Sequence, residues 1–410
     1  MITFIKYGIL LIVSAWLVLK GIVPAWNTIH SDFSNYYVSS KLISEKQNLE
    51  NLYNNEWFQN QIKIHGINEP GKFAPFPPLT AWVMLPISFT DVLTAKRIWT
   101  IFNCVVIIFC VWLISRITLW SWSTSALLLL ATGNGLINNF KFGQVYLIVT
   151  GLILLAIYLH DKFQGILSGA LLGFVTCLKY FPIVFIASFF ALKNYRVVIY
   201  SVLSIFVLTI LQIWFFGSTL IFTFINNSLL PHLDGDLEGQ GMYSFLFQSW
   251  DGLFRHLFVY SAKDNPTPFL DWPDGRSIFK LITHFAVGIS LILVSRKIIL
   301  SSLSEDVKKK LLLSLPAVAA FVVLPASASY HFILLVLPLT LLLSSELLIK
   351  NEKIILICIY SAIGFLPIGF FFRVAEKTGV IFAYPRLGLI TLFYVITLYI
   401  INSKISLRKL

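Results

Sequence analysis

Apolar residues run along this chain in long unbroken blocks, without the alternation of a half-buried strand or the polar stripe of a surface helix. The first block covers Phe4–Val23, and others recur near 98–115, 122–137, 143–159, 165–178, 182–192, 197–216, 277–295, 311–328, 332–349, 353–371 and 387–402. About twenty apolar residues, coiled as a helix, match the thickness of a bilayer's hydrocarbon core. Water is absent there, so backbone groups must bond within the segment, and helix does this. The pattern predicts an all-α polytopic membrane protein, a single transmembrane domain over residues 1–410 with about twelve helices. Two blocks, 165–178 and 182–192, are short and meet at Lys179-Tyr-Phe-Pro182. Broken pairs of this kind are tolerated where protein or water satisfies the freed backbone. The piece 79–89 follows Phe73-Ala-Pro-Phe-Pro-Pro78, whose prolines interrupt helix geometry, and reads as half-inserted or re-entrant.

Polar stretches separate the blocks unevenly. His30–Lys72 is amphipathic, with Tyr36, Tyr37, Tyr53, Trp57 and Phe58 scattered through it, and predicts short interfacial helices. The stretch 217–276 carries Asp234, Asp236, Glu238, Asp251, Asp264, Asp271 and Asp274. Cytoplasmic loops are enriched in Lys and Arg, which sets an orientation. Arg116, Lys162, Lys193, Arg196, Arg296, Lys297, Lys308, Lys309, Lys310, Lys350, Lys353, Lys404, Arg408 and Lys409 all fall on one side. That side is expected to be cytoplasmic, with both termini, leaving 24–78, 138–143, 217–276 and 372–386 outside. Lys96 and Arg97 break the rule. The opening apolar block is followed by no small-residue cleavage site and reads as an uncleaved span.

Composition agrees with the pattern. Hydrophobic residues make up 57% and charged residues 12% of the 410, about half the charge of a soluble domain. The net charge of +12 is absorbed by the loop bias and gives no reason to expect nucleic acid. The four cysteines lie in apolar runs without a CxxC pair, which removes zinc and disulfide frameworks. Phosphate-loop, nucleophile-elbow, zinc-protease and dinucleotide motifs are missing. No metal or other cofactor is expected.

Few residues remain to carry chemistry. Asp32 follows the first block in Ser31-Asp-Phe-Ser-Asn-Tyr-Tyr37, at the predicted outer surface. A carboxylate there can take the proton of a sugar hydroxyl, or it can cap a helix. Gln144 ends Phe140-Lys-Phe-Gly-Gln144 at the start of a block. Lys179 sits between the two short helices, where an ionisable group is costly enough to suggest function. It would meet a phosphate as a point charge, or snorkel to the interface. His331, in Tyr330-His331, is a hydrogen-bond donor or a simple interface residue. Arg373 and Arg386 flank the last outside loop and could contact phosphate, though snorkelling is the reading preferred for each. Gln248-Ser249-Trp250-Asp251-Gly252, with Arg255 and His256, is compatible with a sugar-binding turn, and Asp234-Gly-Asp236 with a cation or with solvent.

In order along the chain, Asp32-Phe33 with Tyr36-Tyr37, Leu52-Tyr53, Phe76-Pro-Pro-Leu79 with Leu85-Pro86, Phe142-Gly-Gln144, Gly165-Ile-Leu-Ser-Gly169, Lys179-Tyr-Phe-Pro182, Gln248-Ser249, and Tyr330-His331 with Leu337-Pro338 form a series of short blocks. The series resembles the polyprenol-phosphate-mannose-dependent mannosyltransferases of the GT-C superfamily, glycosyltransferase family 87. Each block is weak; their order and spacing carry the resemblance across nearly the whole chain. It implies a GT-C-type bundle that moves a sugar, mannose in the family, from a polyprenyl-phosphate donor to a hydroxyl of a glycolipid or glycan at the extracytoplasmic face of the cell membrane, with inversion and without bound metal. Asp32 would be the catalytic base. Gln144, Lys179, His331, Tyr36, Tyr37, Gln248 and Ser249 would bind donor phosphate or sugar. The chain departs from the family at Tyr330, where a second histidine is common, and at Phe247, where an Asn often precedes the Gln-Ser. The competing reading is a transporter or flippase of lipid-linked sugars. It calls for polar groups near mid-membrane, whereas these fall at the ends of the blocks.

Overall fold

A computed structural model describes residues 2–163, 165–236 and 241–407. Glu238, Arg408 and Lys409, singled out above, lie outside the described residues. The described residues form helices and turns, with no strand among them beyond one isolated bridge between Ser261 and Asn265. This is the architecture of an all-α polytopic membrane protein. Among the described residues five helices are long and apolar enough to cross a bilayer: Thr3–Asn27, Val92–Thr118, Tyr195–Phe216, Pro273–Leu300 and Pro385–Ile405. Two bent pairs, Asn134–Phe142 with Tyr146–Asp161 and Lys350–Phe365 with Ile368–Lys377, raise the number to as many as seven, and shorter apolar helices fill other expected blocks. Their apolar side chains are exposed in quantity: Phe206, Trp214, Phe285 and Ile292 are more than half accessible, as lipid-facing residues are. The chain divides into two compact units, Met1–Pro231 and His232–Leu410.

In the first unit the polar stretch after the first span folds into the helices Ser31–Ser44 and Asn55–Ile64, in line with the short helices expected there. Asn54 starts the second by accepting a hydrogen bond from the Trp57 N–H. The proline-rich piece becomes two 3₁₀ turns, Pro78–Trp82 and Leu85–Ile87, because consecutive prolines withdraw the donors an α-helix needs. The block expected over 122–137 breaks after Leu130, turns through Thr132 and Gly133, and restarts as Asn134–Phe142. The short helix Ile166–Leu178 packs against Tyr195–Phe216 through Gly169 and Gly173. A Cβ on either would run into the backbone of Val197 or Ser201, the close approach that small residues at four-residue spacing permit. Ser204 Oγ donates 2.9 Å to the Ala170 carbonyl across the same seam.

Lys96 and Arg97, which break the orientation rule, are explained by packing. Lys96 is fully buried and its Nζ donates to the carbonyls of Phe140 and Lys141, each at 2.9 Å. Arg97 lies over the Trp26 ring and donates to the Trp26 carbonyl at 3.3 Å. Charges held by the protein in this way are not loop charges, and counting them as such misplaces them.

In the second unit, Pro273–Leu300, Glu305–Val323, Lys350–Phe365 and Pro385–Leu407 are the main helices. Arg386 does not snorkel. It is 3% exposed, and its guanidinium donates to the carbonyls of Ile363 and Leu366, closing the C-terminus of Lys350–Phe365.

Candidate active site

Asp32 is the second residue of the helix Ser31–Ser44, whose N-cap is His30. The capping role is therefore not its own. Its Oδ2 accepts a 2.8 Å hydrogen bond from Gln144 Nε2. Gln144 Oε1 in turn accepts a 2.7 Å bond from the Tyr36 hydroxyl. Tyr36 and Gln144 are buried, and the relay orients the amide: a phenol donates to its oxygen end, so its NH₂ end must face the carboxylate. Tyr36 lies one turn beyond Asp32 on the same helix, so a single helix face supplies both ends of the relay. Asp32 keeps partial exposure, and its Oδ1 has no hydrogen-bond partner among the described residues.

Gln144 reaches Asp32 because of Gly143. This glycine ends Asn134–Phe142 at φ +64°, in the left-handed region, where a Cβ is costly. A Cβ there would also sit 2.8 Å from Phe33 Cβ and 3.0 Å from Lys96 Nζ. The chain thus bends by 116° directly against the Asp32 helix and delivers the next residue onto the carboxylate. Two further contacts hold the bend. Lys96 sits on the last carbonyls of Asn134–Phe142, where a cation suits the helix dipole. Trp99 Nε1 donates 3.0 Å to the Gly143 carbonyl.

Lys179 completes the cluster. It follows Ile166–Leu178 in extended conformation and is 5% exposed, so it does not snorkel. Its Nζ lies 3.8 Å from the centroid of Phe76, 5.1 Å from that of Tyr146 and 5.7 Å from that of Tyr36, a cation held against ring faces. It makes no hydrogen bond to the described residues. Phe76 stacks flat on Tyr36, with centroids 4.7 Å apart. Tyr53 donates 2.6 Å to the Phe76 carbonyl and Thr80 donates 3.1 Å to the Leu178 carbonyl. Five of the scattered sequence blocks thereby meet around one carboxylate.

The electrostatics follow from this packing. Desolvation dominates at Asp32 and raises its pKa above the usual carboxylate value. The Gln144 hydrogen bond and the charges of Lys179 and Lys96 oppose that rise without cancelling it. His30 is pushed down, by burial first and then by Lys96 and Lys141.

Tyr37 points elsewhere, its hydroxyl donating 2.8 Å to the Thr90 carbonyl. Gln248, Ser249 and His331 belong to the second unit. Gln248 is 1% exposed; its Nε2 donates to the carbonyls of Phe245 and Ala383 and its Oε1 accepts from the Arg386 N–H. Ser249 caps the helix Trp250–Phe258 by accepting from the Gly252 N–H at 3.1 Å. His331 Nδ1 accepts from the Ala328 N–H at 2.9 Å, and its ring meets Tyr330 edge-on. Asp251 is a buried junction, 2.8 Å from Arg276, 3.6 Å from Arg255 and 3.7 Å from Lys280. Asp234, from the Asp-Gly-Asp segment, has an exposed carboxylate 3.3 Å from Lys280.

Sequence reasoning missed two residues here. Lys96 registered only as an exception to the loop bias, although a lysine inside a 27-residue apolar helix is itself a signal. Asn35 drew no notice at all. It is 3% exposed, and its Oδ1 is buried without a hydrogen-bond partner among the described residues.

A family model described as glycosyltransferase family 87 matches residues 73–325, more than half of the chain. No curated protein gives a match. Phe76, Lys96, Gln144 and Lys179 lie within the matched segment. Asp32 and Tyr36 precede it and are tied to it by the contacts above.

Proposed function

The chain belongs to glycosyltransferase family 87 and is a membrane glycosyltransferase, and we propose that it transfers a sugar, mannose first among candidates, from a polyprenyl phosphate to an acceptor hydroxyl on a glycolipid or glycan, at the extracytoplasmic face. The observation that supports this reading is the relay Tyr36–Gln144–Asp32 beside Lys179. One carboxylate oxygen is fixed by the relay and the other is left for a substrate. The nearby ammonium has unused donors, as a phosphate ligand requires.

In the proposed reaction Asp32 accepts the proton of the acceptor hydroxyl as its oxygen attacks the anomeric carbon of the donor. The bond from that carbon to the phosphate oxygen breaks on the opposite face. The phosphate departs with the electron pair, and the configuration inverts. Lys179 stabilises the charge growing on the departing phosphate. A raised Asp32 pKa makes its carboxylate a stronger base near neutral pH. Phosphate leaves readily without protonation, so the protein's task is to position both partners and to remove one proton. Gln248 and Ser249 serve in this scheme to hold the second unit's loop, since their polar atoms are engaged with backbone.

The test is to incubate the purified protein with radiolabelled polyprenyl-phosphate sugars and a membrane lipid extract. A labelled glycosylated product that requires Asp32 is the expected result. Movement of intact donor between leaflets without product would favour the transporter reading and overturn this one.

A further inference from the structure

Asn103 on Val92–Thr118 and Asn139 on Asn134–Phe142 are buried carboxamides, 1% and 0% exposed. Both polar atoms of each side chain are bonded. Asn139 Nδ2 donates 3.0 Å to Asn103 Oδ1, and Asn103 Nδ2 donates 2.9 Å to the Trp99 carbonyl. Asn139 Oδ1 accepts the Leu147 N–H at 3.2 Å. Leu147 is the second residue of the helix Tyr146–Phe163, and the first N–H groups of a helix have no partner inside it. A side chain from the helix before the bend therefore supplies an acceptor to the helix after it. The Asn139 backbone carbonyl also accepts the Gln144 N–H at 2.9 Å. Both ends of the peptide unit joining Gly143 to Gln144 are thus held, the carbonyl by Trp99 Nε1 and the N–H by Asn139. Leucine has a similar size and a higher helix propensity; what asparagine adds at 139 is bonding across the bend.

We infer that Asn139 is a positioning residue for the transfer reaction: bonded on both sides of the bend, it fixes the backbone that carries Gln144, and with it the hydrogen bond that Gln144 gives to Asp32. The inference rests on the transferase reading above, with Asp32 as the base. Asn139 touches neither the carboxylate nor Lys179; it acts through Gln144. Small misplacements of a reacting group lower the rate by large factors, so a loosened bend should be read in kcat. Donor KM should hold, because Lys179 keeps its place on other elements. The Gln144 hydrogen bond also holds the Asp32 pKa down, as do Lys179 and Lys96, the charged groups that face the carboxylate. Neither lysine is replaced in the test.

The experiment compares wild type, Asn139→Leu, Asn103→Leu, Gln144→Met and the double variant Asn139→Leu/Gln144→Met. Each is assayed for Tm and for transfer of label from a polyprenyl-phosphate sugar to membrane lipid extract across pH 5–8. Asn103→Leu serves as the control for a lost buried hydrogen bond, since it leaves the Asn139–Leu147 bond in place. Expected for Asn139→Leu are a kcat lower by about tenfold or more, a donor KM within about twofold, and an acid limb moved to higher pH. Asn103→Leu should lower Tm and leave the limb where it is. Gln144→Met should move the limb by itself, and adding Asn139→Leu should move it no further, as two residues acting along one route are not additive. If Asn139→Leu does not fold, Asn139→Ser, whose hydroxyl is one bond too short for the Leu147 N–H, is measured in its place. An unmoved limb in the Asn139 variant overturns the inference, as does an equal movement in Asn103→Leu or a further movement in the double variant. No product from wild type with any donor overturns the transferase reading itself, and the inference with it; wild-type product alongside an unmoved limb overturns the inference alone.

Discussion

Replacing Asp32 by asparagine separates catalysis from stability with opposite signs. The amide oxygen of the new side chain keeps the 2.8 Å acceptor geometry toward Gln144 Nε2, so the Tyr36–Gln144 relay survives. What is lost is the ability to take a proton. Removing a general base slows a reaction by between about a hundred- and ten-thousandfold, about 3–5 kcal/mol of barrier. Stability should move the other way. The Asp32 pKa is raised in the folded chain, chiefly by burial, so its ionised form is disfavoured by folding. Such a group helps stability below its unfolded pKa, and that help is lost as pH rises through the folded value. The Asp32→Asn variant has no proton to lose and escapes this penalty, so it should match or exceed wild-type Tm at pH 8 and lose that advantage near pH 4. The assays are transfer from polyprenyl-phosphate sugar across pH 5–8 and thermal unfolding across pH 4–8. Wild-type transfer should fall on the acid side at a pH above the usual carboxylate range, and the residual activity of the variant should lack that limb. Transfer within tenfold of wild type would refute the base assignment. A lowered Tm at pH 8 would show that the carboxylate serves the fold.

Three further perturbations test the surroundings. Gly143→Ala puts a methyl group against Phe33 in a left-handed backbone and should cost about 1–3 kcal/mol with a larger loss of transfer, as Gln144 leaves Asp32; a small Tm change with intact transfer would contradict that account. Lys179→Met keeps the packing against Phe76 but removes the charge, lowering kcat/KM for the donor by about a hundredfold. Because Lys179 lowers the Asp32 pKa, the acid limb should also move to higher pH, and an unmoved limb would disconnect the two residues. Asp251→Ala leaves Arg276, Arg255 and Lys280 facing one another and should destabilise the second unit by about 3 kcal/mol, read as a fall in the denaturant midpoint; an unaltered midpoint would assign the cluster to the surface.

Hydropathy along the chain was enough to establish a helical membrane protein, because an apolar block of span length has one solution in a bilayer whatever its neighbours do. The short broken helices around Lys179 and the small helices between residues 30 and 72 were legible for the same local reason. Sequence blocks also singled out Asp32, Gln144 and Lys179 individually. What local pattern could not supply is who meets whom. Asp32 and Gln144 are 112 residues apart and Tyr36 and Gln144 are 108 apart, so the relay exists only after the bend at Gly143 and the packing of Phe33 against it. Lys96 and Arg386 show the converse. A charge looks the same in sequence whether it faces water, lipid headgroups or a helix terminus, and tertiary packing alone put these two onto carbonyls at helix C-termini. Asn35 was invisible for a related reason: an unpaired amide is defined by the partners that surrounding chain fails to provide, and those come from residues remote in sequence.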